Sequence, residues 1–188
     1  MAQPLVVRRK FTVEEYHRLS KAGILREDDR VELIDGEIVE MGPVGARHAA
    51  TVKRIRNRLT PIESSGRALL SVQDPIRLGD FGEPQPDLAL LRPRGDFYAA
   101  EHPGPEDVLL VVEVAETSTD YDRQVKVPLY ARWGIPEVWL VDLEQDRIEV
   151  YRRPSAEGYQ EVQMVRRGER VGPAAFPDLV LRTEEILG

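Results

Sequence analysis

The sequence predicts a mixed α/β fold, in which a mixed β-sheet is flanked by helices. Strand-like apolar runs outnumber helical ones, and the longest run, Val108 to Ala115, is apolar on both faces, which is typical of a central strand. Helical spacing is strong over two longer stretches, 47–59 and 121–133, which we place against the sheet. With 188 residues, 41% of them hydrophobic, the chain can bury the core of one domain spanning 1–188.

The N-terminal part predicts a short helix followed by a hairpin. Thr12 and Glu15 form a capping box, in which each side chain satisfies a backbone N–H group at the start of a helix. Two strand-like runs, 31–34 and 37–41, are joined by Asp35-Gly36. Both of these residue types tolerate a positive φ, so the pair predicts a tight β-hairpin turn.

The remainder predicts an alternation of strands and two helices. The first helix, from about Arg47 to Leu59, has one apolar face, and its other faces are basic. The basic residues, which we consider candidates for contacting nucleic acid, are Arg47, Lys53, Arg54, Arg56 and Arg58. The second helix contains Pro128, which predicts a kink because proline lacks a backbone donor. Strands are expected at 68–72, 75–78, 87–91, 108–115, 138–142, 147–151 and 159–165, with a short helix or tail at 182–187.

The composition excludes several classes of protein. The chain has no cysteine, which rules out disulfides and thiolate metal sites. No apolar stretch could span a bilayer, and the N-terminus lacks the apolar stretch of a signal peptide, so we expect a cytoplasmic protein. The net charge is -7, yet residues 1–60 hold 12 Lys and Arg against 9 Asp and Glu, which leaves room for a basic patch. Phosphate-binding glycine loops and the serine-hydrolase motif are absent from the sequence.

Two acids interrupt stretches that are otherwise apolar. Asp87 opens the run at 87–91, and Glu113 lies inside the run at 108–115. A buried ionised carboxylate costs several kcal/mol unless a partner compensates it, and one metal ion can compensate two. Two simpler explanations remain open. Asp87 could bond its own backbone at a strand start, and Glu113 could pair with an arginine.

Lys126 is one of only four lysines, and it lies on the predicted second helix with Asp122 and Tyr130 four residues to either side. It could act on a phosphate or a metal-bound water, or it could form an exposed ion pair with Asp122. Glu32 and His48 are kept as accessory candidates, although a partly buried histidine without a catalytic role is the simpler interpretation. The three histidines have no zinc-ligand spacing.

An ordered set of motifs resembles the Uma-type restriction endonuclease family of the PD-(D/E)XK nuclease superfamily. It starts with the Asp35-Gly36 hairpin and His48, and continues with Pro86-Asp87-Leu88-Ala89 and Val111-Val112-Glu113-Val114. A long helical motif around Lys126 then runs into Pro136-Glu137-Val138-Trp139-Leu140-Val141-Asp142. The resemblance extends from about Phe11 to Leu187 and implies a restriction-endonuclease-like sheet with a site at Asp87 and Glu113.

One position departs from the superfamily pattern. The lysine expected two residues after the glutamate is replaced by Ala115. The resemblance implies that a lysine on the following helix takes its place, and Lys126 is the match. His48 and Glu32 also match residues that are common in the family.

These observations predict a Mg²⁺- or Mn²⁺-dependent endonuclease that acts on nucleic acid, with DNA as the expected substrate. Asp87 and Glu113 would hold the metal with the carbonyl of Val114, and Lys126 would orient water or neutralise charge. The alternative is a nucleic-acid-binding or defence-associated module with weak or no catalysis, which Ala115 favours. A third interpretation is a structural protein whose strand edges pair in a homodimer.

Overall fold

The computed structural model describes residues 8–26 and 28–188. Residues 1–7, part of the N-terminus inspected for a signal peptide, lie outside the described residues. The chain begins with helix α1 (Val13–Lys21), whose capping box between Thr12 and Glu15 forms as predicted. Strands β1 (Val31–Ile34) and β2 (Glu37–Glu40) pair in a hairpin, with Asp35 at φ 50° and Gly36 at φ 80° in its turn.

A six-stranded mixed sheet forms the centre of the molecule, which confirms the predicted fold class. Its strand order is β3-β4-β5-β6-β7-β8, in which β5 and β6 are parallel and every other pair is antiparallel. The strands are β3 (Leu69–Ser71), β4 (Leu88–Leu91), β5 (Val108–Ala115), β6 (Glu137–Asp142), β7 (Arg147–Ser155) and β8 (Gly158–Arg166). A small pair, β9 (Arg170–Val171) and β10 (Leu181–Arg182), precedes the terminal helix α5 (Glu184–Leu187).

Helices cover both faces of the sheet. Helix α2 (Ala46–Ser64) and the C-terminal segment pack on one face, against Leu110, Val112 and Val114 of β5. A helical segment covers the other face, against Val111 and Ala115 of the same strand. The alternation of strand side chains therefore points Glu113 towards this second helical segment, as it does Val111 and Ala115.

The second helical segment is continuous but changes its pitch. It consists of α3 (Thr119–Tyr121), a π-helical turn (Asp122–Lys126) and α4 (Val127–Arg132). Pro128, at which we predicted a kink, lies at the start of α4, directly after the π-helical turn. The wide turn accommodates Pro128, which has no backbone N–H group to donate. π-Helical turns of this kind occur frequently at functional sites.

One predicted strand and the predicted end of one helix were wrong. Residues 75–78 are not a strand but part of a loop, in which the backbone of Ile76 bonds Pro84 and that of Leu78 bonds Gly82. Helix α2 continues to Ser64, past Pro61, because the buried side chains of Leu59 and Ile62 hold its last turns on the core. Within the described residues, the structure contains no helix that is long and apolar enough to cross a membrane.

Candidate metal and catalytic site

The structure brings Asp87 and Glu113 together on adjacent strands. The β4–β5 register pairs Leu88 with Val112, so one further step along it places Asp87 opposite Glu113. Directly opposed residues of an antiparallel pair project to the same face of the sheet. Both side chains accordingly line one pocket, which opens where β4 begins and β5 ends.

Asp87 is held in place by three donors. Its Oδ2 atom accepts the backbone N–H of Val114 at 2.9 Å and lies 3.0 Å from Nε2 of His48. The side-chain amide of Gln73 donates to Oδ1 at 3.3 Å. Burial opposes ionisation of this carboxyl, but the hydrogen bond and charge of His48, together with the Val114 N–H, keep the pKa of Asp87 below its usual value. Asp87 is therefore ionised and oriented before any ligand arrives.

Glu113 has a contrasting environment. Its Oε1 atom lies 2.8 Å from the ammonium of Lys126 and accepts the phenol of Tyr130 at 2.6 Å. Burial raises the pKa of Glu113 to about 8, and although Lys126 acts in the opposite direction, the carboxylates of Asp122, Asp87 and Glu32 add to the rise. This carboxyl therefore holds a proton more readily than an ordinary glutamate.

Lys126 is buried and forms ion pairs with two acids. Only 4% of the residue is exposed, and its Nζ atom contacts Glu32 at 3.2 Å as well as Glu113. Burial alone would lower the pKa of this lysine, but the charges of Glu113, Glu32 and Asp122 raise it, so the side chain stays cationic. The exposed Asp122–Lys126 ion pair considered from the sequence does not form, since Lys126 pairs with Glu113 and Glu32 within the described structure.

The π-helical turn is fixed to the sheet by Arg123. Its guanidinium donates to both carboxylate oxygens of Glu149 on β7, at 3.1 and 2.8 Å. Asp122, the preceding residue, turns towards the pocket and accepts the hydroxyl of Ser118 at 2.7 Å. One residue of the turn therefore anchors the helix while its neighbours Asp122 and Lys126 face the pocket.

The accessory candidates border the same pocket. Glu32 reaches it because β1 alternates, with Leu33 packed against α1 and Glu32 turned the other way. The backbone N–H of Gln85 donates to Glu32 at 3.1 Å. His48 stands in the first turn of α2 and contacts Asp87, which raises the pKa of the histidine. Its Nδ1 atom is buried without a hydrogen-bond partner in the described structure.

Sequence reasoning missed other residues of the pocket, and four of them are polar or aromatic side chains from outside β2. Arg30, Gln85, Glu116 and Tyr121 all line it. Glu116 belongs to the polar run that follows β5, and a polar run at a strand end was a usable signal. Tyr121 is half-buried, and burial together with the charge of Glu32 raises its pKa to about 12.

The basic face of α2 is divided between two sides of the helix. On one side, Arg47 pairs with Asp146 at 2.8 Å, Arg58 pairs with Glu185 at 3.2 Å, and Arg54 donates to the carbonyl of Leu187. On the other side, Lys53 and Arg56 are exposed and have no ion pair among the described residues. The five side chains therefore do not form one continuous free surface.

The pocket has room for a metal held by few protein ligands. Within the described residues, no three Asp, Glu or His side chains form a cluster that could hold a metal ion. Asp87 and Glu113 nevertheless present two carboxylates, and each uses one oxygen for its main anchoring contacts. Val114 adds a carbonyl on the Asp87 side of β5, because a strand residue points its N–H and C=O in the same direction. Two carboxylates plus water suit Mg²⁺, which rarely binds in all-protein cages.

Comparisons with known proteins identify the fold and the family of the chain. A crystal structure from Anabaena variabilis ATCC 29413, described as "a putative nuclease belonging to DUF820", superposes with a TM-score of 0.72 at 16% identity, covering 94% of this chain and 97% of the other. At that identity the likeness shows a shared fold. No curated protein matches the chain significantly. The sequence profile of Uma2, described as "Putative restriction endonuclease", matches residues 13–184. The chain therefore belongs to the Uma2 family of restriction-endonuclease-like proteins.

Proposed function

We propose that this protein is a Mg²⁺- or Mn²⁺-dependent endonuclease that hydrolyses phosphodiester bonds in nucleic acid, with DNA as its expected substrate. The observation that carries the proposal is that the half-buried Asp87 and the buried Glu113 and Lys126 line one pocket. Membership of a nuclease family supports it independently.

Charge explains why the pocket needs a divalent cation to accept a phosphate. Its side chains include three basic groups, Arg30, His48 and Lys126. Six acids face them, namely Glu32, Glu40, Asp87, Glu113, Glu116 and Asp122. A phosphodiester would be repelled by this surplus of negative charge. A divalent cation would offset two of these negative charges, and when bound it would polarise the phosphate and lower the pKa of a water molecule.

Asp87 and Glu113 are the residues we assign to holding the cation. Asp87 Oδ2 is committed to His48 and Val114, and Glu113 Oε1 to Lys126 and Tyr130. The second oxygen of each carboxylate, Oδ1 and Oε2, would be the metal ligand, with the Val114 carbonyl beside them. The anchoring bonds keep both carboxylates from rotating, which is the support that hard-oxygen sites require.

Lys126 is the residue we assign to the attacking water and the developing phosphate charge. Its ammonium can donate three hydrogen bonds, and two are directed at Glu113 and Glu32. The third donor is available for a water molecule or a phosphate oxygen. Ala115 projects to the same face of the sheet as Glu113, so the ammonium of Lys126, which comes from the π-helical turn, lies on the face that a lysine at position 115 would have occupied.

Affinity for the rest of the substrate would come from outside the pocket. Lys53 and Arg56 are the best candidates for phosphate contacts, since Arg47, Arg54 and Arg58 already have partners within the chain. Helix α2 begins beside the pocket at Gly45 without a side-chain cap, so its positive end also favours an anion there.

The test is cleavage of supercoiled plasmid, single-stranded circular DNA and RNA with Mg²⁺, Mn²⁺ or EDTA. Asp87→Asn is the test variant, and Asp178→Asn is a matched control, because Asp178 pairs with Arg67 at the surface. We expect metal-dependent cleavage by the wild type and Asp178→Asn, and a loss of at least a hundredfold in Asp87→Asn. If the folded wild type cuts no substrate with any metal, the non-catalytic binding module becomes the better account.

A further inference from the structure

The pocket has two chemically different parts. Its inner end holds Asp87, Glu113 and Lys126, whereas the segment 39–44 lines it with a wall of four apolar side chains, Val39, Met41, Pro43 and Val44, with the acid Glu40 among them. Pro43 and Val44 are exposed, and 44% of Val44 is accessible to solvent. An apolar wall beside the proposed cation site suits a ligand that is apolar at one end and anionic at the other.

The apolar wall is a built surface that follows β2. The backbone N–H of Met41 donates to the carbonyl of Arg30 at 2.7 Å. The guanidinium of Arg30 in turn donates to the carbonyl of Gly42 at 2.5 Å. Beyond Val44 the chain enters α2 directly at Gly45, against the carboxylate of Glu116. The wall is therefore held at both of its ends by contacts that belong to the pocket itself.

The depth of the inner end restricts what can reach it. Glu113 and Lys126 are each only 4% exposed, so a reacting phosphodiester has to enter the pocket to approach them. The cavity measures about 520 Å³, which is within the size range of sites that enclose a small organic ligand. It can therefore receive more than a phosphate group alone.

A base-paired duplex does not suit this shape. Double-stranded DNA is stiff, with a persistence length of about 50 nm, and its bases are stacked inside. Its phosphates are accessible from outside, but no base face can lie against the apolar wall unless that nucleotide is unpaired, which costs a few kcal/mol. An unpaired nucleotide presents an anionic phosphate and a free base face together, and base faces bind apolar and aromatic side chains.

We infer that the pocket accepts one unpaired nucleotide, with its phosphate at the Asp87–Glu113 end and its base against the wall of Val39, Met41, Pro43 and Val44. The inference rests on the proposed function, and it narrows the substrate to single strands, loops, flaps or ends. The half-buried ring of Tyr121 lines the same pocket and supplies an aromatic surface for the nucleotide.

Binding measured without cleavage tests this inference. A labelled 20-nucleotide single strand, the blunt duplex of the same sequence, and the RNA version of the single strand would be titrated by fluorescence anisotropy, with Ca²⁺ replacing Mg²⁺. The test variant is Met41→Ala with Val44→Ser, and the control is Ile24→Ser, because Ile24 is also apolar, is more exposed than Val44 and does not line the pocket.

We expect the wild type and Ile24→Ser to bind the single strand at least tenfold more tightly than the duplex. The wall variant should lose about five- to tenfold in single-strand affinity, the loss typical for a base-stacking surface. Comparison of the RNA strand with the DNA strand shows whether the pocket prefers an unpaired ribonucleotide or an unpaired deoxyribonucleotide. Equal affinity for duplex and single strand would overturn the inference, and so would a single-strand preference that the wall variant leaves unchanged.

The cleavage assay separates this inference from the proposed function. Duplex DNA cut as fast as single strands would leave the nuclease assignment standing and refute the unpaired-nucleotide inference. Tight single-strand binding without any cleavage would support the inference that the pocket binds an unpaired nucleotide, and would contradict the proposal that the protein is a nuclease. An absence of both binding and cleavage would contradict both.

Discussion

Two groups of buried acids lie on the same side of the central sheet and are treated in opposite ways. In the first, the pocket cluster, Glu32, Glu113 and Asp122 surround a single cation, Lys126. In the second, the arginine-clamped cluster, Glu149 accepts hydrogen bonds from Arg123 and from the phenol of Tyr151, and it forms an ion pair with Arg147 at 2.8 Å. The two clusters are joined by the π-helical turn that carries both Arg123 and Lys126.

The pKa values of Glu149 and Glu113 depend on how many cations lie close to each carboxylate. Burial opposes the charge of Glu149, but its bonds to Arg123 and Tyr151 and the charge of Arg147 hold its pKa below the usual value. Burial raises the pKa of Glu113 to about 8 because one ammonium is shared among three acids. The cluster around Glu149, in which the acid has enough cations, stabilises the fold. The cluster around Glu113 has more acids than cations, and a divalent cation can neutralise the excess.

Matched glutamine substitutions should separate the two clusters most strongly. Glu113→Gln should lower cleavage by about a thousandfold or more while the protein stays folded, because it removes a ligand of the proposed metal. Glu149→Gln should lower the free energy of unfolding by about 2 kcal/mol, because Arg123 and Arg147 lose one of their two buried carboxylate partners and keep only Asp142, and it should retain cleavage per folded molecule. Cleavage rates and urea unfolding of both variants measure this. Normal cleavage by Glu113→Gln would remove that residue from the mechanism.

The two cations should differ in the same way. Lys126→Met should reduce cleavage by about a hundredfold, since it removes the donor we assign to water and phosphate. Arg123→Met is the control at the other end of the same turn, and it should act mainly on stability, with a smaller loss of activity as Lys126 becomes less well positioned. Single-turnover cleavage at saturating Mn²⁺ would measure both effects. If Arg123→Met costs more activity than Lys126→Met, the assignment of roles within the turn is wrong.

The pH dependence of stability should have opposite signs at the two glutamates. Glu113 has a folded pKa of about 8, above its unfolded value near 4.5, so its contribution to stability is present below pH 4.5 and is lost as the pH rises towards 8. Metal-free protein should therefore lose stability over this window with a slope of up to ~1.4 kcal/mol per pH unit, and Glu113→Gln should flatten that slope.

Glu149 has a lowered folded pKa, so its contribution is present above its unfolded pKa and is lost as the pH falls through the folded value. The deficit of Glu149→Gln should accordingly shrink in acid. Urea unfolding between pH 3 and pH 8 in EDTA tests both glutamates. A wild-type slope unchanged by Glu113→Gln would contradict the raised pKa.

The sequence could predict the core of the site because buried charge in an apolar run is visible without coordinates. Asp87 and Glu113 interrupt strands, and their pairing follows once β4 and β5 are neighbours. The family motifs supplied Lys126, Glu32 and His48, which the structure places around the same pocket. The strands themselves followed from their apolar runs, with the exception of 75–78, which is an apolar loop bonded across to Gly82 and Pro84.

Other features depend on contacts between distant parts of the chain. The spacing of apolar residues does not predict the π-helical turn. Its position is set by Pro128, which follows it in the sequence, and by the bonds of Arg123 to Glu149 on β7. The basic face of α2 looked uniform in sequence, but α5 and the β6–β7 turn engage three of its five cations. Arg30, Gln85 and Glu116 reach the pocket from loops, and Tyr121 reaches it from α3.

The central claim is that Asp87 and Glu113 share a divalent cation, and calorimetric titration with Mn²⁺ tests it most directly. Performed at pH 7 in two buffers of different ionisation enthalpy, it measures both the binding and the protons released. We predict that the wild type and Glu149→Gln bind Mn²⁺ with proton release, and that Asp87→Asn and Glu113→Gln lose at least tenfold in affinity. Absence of binding to the wild type, or unchanged binding in both site variants, would contradict the account.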